Sequence, residues 1–218
     1  MQKILFIAYQ FPPRGGPGVH RSLNFVRFLN EFGYDPVILT VDENDINKSG
    51  HQLDRSLLVQ VPVSVRVLRT PSHEPVGFIR FLQKIRLYRF AWFFFYHNFW
   101  EWSARWPKRT FNTAVELIKE HDIKLVYTSS GPFSSMLLGR ALQKKLGVKW
   151  VADLRDPFTD AYSWQFPSKF HWRNRRRFEK KLFGFPDKLI VNTPAVKELY
   201  LQRNITAPEK LICITNGF

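Results

Sequence analysis

Lys3-Ile4-Leu5-Phe6-Ile7-Ala8, followed by Tyr9-Gln10-Phe11-Pro12-Pro13-Arg14-Gly15-Gly16-Pro17-Gly18-Val19-His20-Arg21, reads as a strand, a glycine-rich loop and the start of a helix. The run Ile4 to Ala8 has no polar alternation, the pattern of a central parallel strand covered on both faces by helices. Pro12 and Pro13 lack the amide a ladder needs and so end the strand. Glycines at 15, 16 and 18 let the backbone approach a ligand and expose amides ahead of a helix N-terminus, a place that suits a phosphate or diphosphate. A nicotinamide fingerprint would need glycine where Arg21 stands, and no lysine follows as in a P-loop, so neither chemistry is supported. A tight strand-to-helix turn without a ligand is the competing account.

Outward from this loop, strands and helices alternate. Ser22 to Phe32 places Leu23, Val26 and Leu29 at helical spacing, widened by Phe25, Phe28 and Phe32, and Gly33 stands where helices end. Pro36 to Val41 is a second buried strand, which completes a right-handed βαβ unit. Residues 42 to 62 read as a polar surface loop, Val63 to Leu68 as a third strand, and His73-Glu74-Pro75 as the close of the first half of the sheet. Helices are expected over Thr110 to His121, Met136 to Leu146 and Lys169 to Phe183, with a short one opening at Pro194. The remaining strands are expected over Ile123 to Thr128, Lys149 to Leu154, Asp187 to Asn192 and Lys210 to Ile214. The fold class is therefore α/β: one Rossmann-like, doubly wound, mostly parallel sheet of about seven strands, with a helical aromatic and basic insertion over about 76–112.

A chain of 218 residues can bury about 70% of its unfolded surface and form one solid domain. Its 33 Lys and Arg against 18 Asp and Glu give a formal charge of +15. That excess implies an anionic partner: nucleic acid, a membrane surface or phosphorylated substrates. The single cysteine, Cys213, rules out an intramolecular disulfide and fits a reducing compartment. The first apolar run is too short for a secretory signal, and no stretch reaches the roughly 18–20 apolar residues of a spanning helix. The expected location is the cytoplasm, with peripheral contact to a membrane left open.

Two further loops carry chemistry. Ser129-Ser130-Gly131-Pro132-Phe133-Ser134-Ser135 opens a helix with small hydroxyl residues, which is either an anion-friendly N-terminus or plain N-capping. Asp153-Leu154-Arg155-Asp156-Pro157-Phe158 puts two carboxylates and an arginine at the end of the fifth strand, in the crevice where open α/β sheets bind ligands. A self-satisfied arginine–carboxylate pair that merely shapes the loop is the alternative there. No His, Cys and Asp spacing suggests a metal. Between Phe78 and Phe111, aromatic residues alternate with basic ones; Arg86, Arg89, Trp92, Trp100 and Trp102 are the candidates for a membrane-interface surface. An aromatic hairpin packed on the sheet with solvated arginines explains the same pattern.

Taken in order, Pro12 to His20, Ser129-Ser130-Gly131-Pro132, Ala152 to Phe158 and the closing Ile214-Thr215-Asn216-Gly217-Phe218 resemble the N-terminal domain of the retaining, family-4-like glycosyltransferases of the GT-B fold. The resemblance covers essentially the whole chain and is weakest in the aromatic segment. It implies a domain that receives the acceptor and faces a C-terminal domain that holds the nucleotide sugar. It further implies that Gly15, Gly16 and Gly18 approach the donor diphosphate, that His20 orients sugar or phosphate, and that Arg14, Ser129, Ser130 and Arg155 lie on the acceptor side. Asp153 and Asp156 become the candidate catalytic carboxylates. No cofactor is expected beyond the nucleotide-sugar donor itself. The implied partners are that donor, a glycan or lipid-linked acceptor, the protein's own C-terminal domain and an anionic membrane surface; the 218 residues alone are expected to transfer no sugar.

The net charge and the aromatics also suit a nucleic-acid-binding module, although the basic residues form no recognised reader motif. A nucleotide-dependent epimerase is a third reading, weakened by the missing glycine fingerprint and the lack of a Tyr-x-x-x-Lys pair.

Overall fold

The computed structural model describes residues 1–48, 52–72, 74–87, 101–161 and 166–216. Seven parallel strands form one sheet in the order β3-β2-β1-β4-β5-β6-β7. They are β1 (Gln2–Ala8), β2 (Tyr34–Val41), β3 (Arg66–Thr70), β4 (Leu125–Ser129), β5 (Lys149–Leu154), β6 (Lys188–Val191) and β7 (Leu211–Cys213). The helices are α1 (Pro17–Phe28), α2 (Glu43–Lys48), α3 (Val76–Lys84), α4 (Trp106–Glu120), α5 (Ser134–Leu146), α6 (Lys169–Phe183) and α7 (Pro194–Gln202). This is the expected α/β class with its parallel sheet.

β1 lies between β2 and β4, with Phe6 flanked by Ile38 on one side and Tyr127 on the other. Its successive side chains go to opposite faces, as the period of a strand dictates. Leu5 and Ile7 join the larger core cluster with Trp106, Leu117, Met136 and Leu142, whereas Ile4, Phe6 and Ala8 join the smaller one with Phe11 and Val26. Burial on both faces is thus why the run shows no alternation. Each such Ile, Leu or Phe contributes roughly 1.5–3 kcal/mol relative to an exposed position.

Several boundaries differ from the sequence reading. The helix start read between the glycine loop and Arg21 falls at Pro17, where the missing amide and fixed φ of proline suit the first helical position. α1 tightens into a 3-10 turn over Leu29–Phe32, and Gly33 at φ 82° ends it. The segment 42–62 is not a plain loop: it holds α2 and a 3-10 turn over Arg55–Gln60, capped by Asp54, whose carboxylate accepts from the Ser56 amide at 3.0 Å. β3 begins at Arg66 because Pro62 to Val65 forms a turn closed by the Val65 amide on the Pro62 carbonyl. Among the described residues, no helix is long and apolar enough to cross a membrane.

The chain leaves β1 towards β2 on one side and returns to β4 on the other. The strand order therefore reverses between β1 and β4, and the crevice outside their C-terminal ends is where an open parallel sheet receives ligands.

Candidate functional site

Three loops meet at that crevice, and one side chain closes them together. Arg155, just past β5, donates from Nη1 to Gln10 Oε1 at 2.9 Å and to the Gly18 carbonyl at 2.6 Å. Its backbone amide donates to Ser130 Oγ at 2.8 Å. The glycines are explained by this guanidinium. A Cβ on Gly18 would overlap the Gln10 amide oxygen and lie 2.8 Å from Arg155 Nη1. Gly131, at φ +95°, would bring its Cβ to 3.0 Å from the same nitrogen.

Arg14 stands beside this clamp, buried, with its guanidinium 6.0 Å from the Tyr9 ring centre. Tyr9 donates its phenol to Glu74, and burial above all, with the Glu74 charge added, pushes that phenol far up. Burial pushes the Arg14 pKa down, and the Arg155 charge adds to that. Arg155 is pushed down by burial as well, with Arg21 contributing. Among the described residues no carboxylate lies within ion-pair distance of Arg14 or Arg155. Two crowded cations without a bonded counter-charge are what an anionic ligand would relieve.

The glycine loop is held differently from the sequence reading. The Gly15 amide donates to the Gln52 carbonyl at 2.8 Å, the Asp54 amide donates to the Pro13 carbonyl at 2.7 Å, and Arg14 forms an antiparallel bridge with Leu53. Gly15 therefore has no amide to offer a diphosphate, which corrects that assignment. Gly16, exposed at φ +97°, faces open space, and its amide has no backbone acceptor among the described residues. Gly18 is buried and serves the Arg155 clamp. His20 is exposed on the first turn of α1.

The carboxylates also divide. Asp153 is fully buried, and both its oxygens accept from Arg21, from Nε at 2.8 Å and from Nη2 at 2.8 Å. A carboxylate so enclosed orients Arg21 and presents no face to an acceptor, so a direct catalytic part does not fit its position. Burial opposes the Arg21 charge, but the bonds to Asp153 outweigh it and hold the guanidinium above its ordinary pKa. The remaining Nη1 of Arg21 reaches Asn216 Oδ1 at 3.0 Å. Asp156, by contrast, is exposed beside Arg155. Ser129 and Ser130 are spent internally: Ser22 donates its hydroxyl to Ser129 Oγ at 3.2 Å, and the Ser130 amide and hydroxyl hold the Asp153 carbonyl and the Arg155 amide.

The start of α5 carries a further correction. Its first amides do not await a phosphate, and no serine caps them. Glu101, from 33 positions upstream, accepts from the Ser134 amide at 2.7 Å and from the Phe133 amide at 2.9 Å. Burial pushes its carboxyl up to about 7, against the opposing pull of the two amides. Nothing local in the sequence marks Glu101, which stands among aromatics and whose partners are remote. Arg21 carries no local signal either, since its partner Asp153 lies 132 positions away.

The outer limb of the β5 loop is fixed from behind. Tyr200 on α7 accepts from the Phe158 amide at 3.1 Å and donates to Glu179 at 2.8 Å, and Glu179 also accepts from the Thr159 amide. Burial raises the Glu179 carboxyl, and Arg203 pairs with both Asp160 and Glu179.

Of the membrane-surface candidates, Arg86 is exposed after α3 with φ 59°, and Arg89, Trp92 and Trp100 lie outside the described residues. Trp102 opens a 3-10 turn over Trp102–Arg105. The aromatics of the wider segment divide: Trp106 is fully buried and donates its indole N–H to Thr70 Oγ1 at 2.8 Å, whereas Phe78 and Phe81 on α3 are more than half exposed.

Comparison with solved structures places this fold among known ones. Sucrose-phosphate synthase from Thermosynechococcus elongatus superposes with a TM-score of 0.62 at 16% identity over 100% of this chain and 49% of that one. A transferase from Siraitia grosvenorii in complex with UDP gives a TM-score of 0.51 at 11% identity, over 100% of this chain and 51% of that one. UDP-GlcNAc 2-epimerase from Methanocaldococcus jannaschii gives 0.51 at 11% identity, over 99% and 46%. The chain thus spans about half the length of these structural relatives. Transferases and epimerases thus share the fold. A search of curated proteins finds no match. The family described as Glycosyltransferase Family 4 matches over residues 15–218, nearly the whole sequence, and the chain belongs to it.

Proposed function

We propose that the chain is the acceptor-side half of a retaining, metal-independent glycosyltransferase, whose nucleotide-sugar donor is held chiefly by a second domain. The observation that carries this reading is the pair Arg14 and Arg155 beside the open Gly16 at the β1/β4 switch point. The family match and the half-length correspondence to the structural relatives support it.

In the transfer, an acceptor hydroxyl oxygen forms a bond to the anomeric carbon as the bond from that carbon to the diphosphate oxygen breaks. The hydroxyl proton leaves with the diphosphate. Arg14 and the Gly16 amide stabilise the charge that grows on the departing group, an electrostatic contribution made by groups already in place. Arg155 keeps the three loops in register, and exposed Asp156 and His20 are left to meet sugar hydroxyls. The charge of +15 suits a phosphate-bearing, lipid-linked or polysaccharide acceptor of the cell envelope reached at an anionic membrane surface.

Titration with UDP and with GDP, followed by amide chemical shifts, tests the site. Shifts centred on residues 14–20 are expected, with affinity weakened about tenfold in Arg14→Gln, the scale of one lost charge-assisted hydrogen bond. Binding unchanged in that variant would overturn the assignment, and sugar transfer by the 218 residues alone would overturn the half-site reading.

A further inference from the structure

α6 carries Arg173, Arg176, Arg177, Lys180 and Lys181 along one face, at the i, i+3, i+4, i+7 and i+8 positions of a helical stripe. The opposite face buries His171, Arg175, Glu179, Leu182 and Phe183. Where the stripe meets the turn after α7, Arg176, Arg177, Lys180, Lys181, Arg203 and Ile205 line a concavity of about 420 Å³. Elsewhere on the surface cations meet acids, as in Lys3–Asp35, Arg66–Glu120 and Lys149–Asp187. Here, among the described residues, no carboxylate lies within ion-pair distance of Arg176, Arg177, Lys180 or Lys181. The two nearby carboxylates, Asp160 and Glu179, are both engaged by Arg203.

The helix dipole favours lysines in the last turn and so accounts for Lys180 and Lys181. It does not account for Arg176 and Arg177, more than a turn further back. Four like charges around one concavity repel one another, and a multivalent anion would neutralise them.

We infer that this concavity is a second anion site, separate from the β1/β4 crevice, which takes a pyrophosphate or similarly clustered phosphate group together with part of what it is esterified to. The concavity is open to solvent, and its volume accommodates a discrete group. Planar guanidinium forks at Arg176 and Arg177 would give paired hydrogen bonds to phosphate oxygens, with Lys180 and Lys181 acting as point charges. The inference does not depend on the glycosyltransferase reading.

The test is titration of the chain with inorganic pyrophosphate, followed by amide chemical shifts. Shifts at 176–181 and 203–205 are expected, and Arg177→Gln/Lys180→Gln/Lys181→Gln should lower the affinity of that site about tenfold or more. A control with three exposed cations on α4, Lys108→Gln/Arg109→Gln/Lys119→Gln, should leave it nearly unchanged, and Arg14→Gln should leave it intact while weakening any response at 14–20. Flotation with phosphatidylglycerol but not phosphatidylcholine vesicles, lost in the α6 variant, would identify a lipid headgroup as the source of the phosphate. Pyrophosphate binding without flotation would identify a free phosphorylated ligand. Equal loss in the α4 control, shifts spread over the whole surface, or binding of a single-stranded oligonucleotide but not of pyrophosphate would overturn the inference.

Discussion

At the scale of single residues, the pair Arg21–Asp153 bears the most weight. Both side chains are almost wholly enclosed, and each oxygen of the carboxylate meets a guanidinium nitrogen. Removing one partner leaves the other charge buried alone, so Arg21→Met should destabilise the chain by about 3–5 kcal/mol; urea unfolding reads this directly, and a loss under 1 kcal/mol would refute the assignment. Charged and glycine residues of the crevice were legible in the sequence, since Arg14, Gly16, Arg155 and Asp156 lie in loops at strand ends and Gly18 in the first turn of the helix that follows. Their division of labour was not. Asp153 looked available for chemistry because its partner lies 132 positions away, and Gly15 looked available because the strand-like pairing with Gln52 to Asp54 has no local signature.

At the scale of elements, all seven strands were readable, because apolar runs bounded by turn residues are a property of the segment itself. The third strand starts later than the apolar run at Val63 suggests, because the turn at Pro62 takes its first residues. The cap of α5 shows the limit of local reading: serines stand where a cap is sought, yet Glu101 fills the place. A consequence is measurable. The Glu101 carboxyl holds its proton in the folded chain to about pH 7, against about 4.5 when unfolded. Between those values the folded state binds more protons, so this contribution is full below about 4.5 and declines as pH rises through 7. Denaturant titrations from pH 5 to 8 should show stability falling by roughly 2 kcal/mol from this source, and Glu101→Gln should flatten that slope. An unchanged slope would mean the carboxyl is already ionised at pH 5.

At the scale of the whole molecule, +15 distributed over 218 residues makes the folded chain repel itself. Surface pairs offset part of this, but the α6 stripe and the Arg14–Arg155 pair do not. Raising sodium chloride from about 10 mM to about 150 mM shortens the screening length from roughly 30 to 8 Å, so Tm should rise over that range, and a falling Tm would show that attraction dominates instead. The sign of this field is plain from composition and the basic run of α6 from its sequence, whereas the meeting of that run with Arg203 and Ile205 needed the packing of two helices. The Arg155 clamp has one more consequence for the molecule. With the loops of β1, β4 and β5 closed on a single guanidinium, the ordering of the rim is completed during folding and is not repeated at each encounter with a ligand. Apparent affinity then follows the fraction of time the rim stands closed, so a change that leaves every ligand-touching atom in place can still weaken binding by letting the gate drift open.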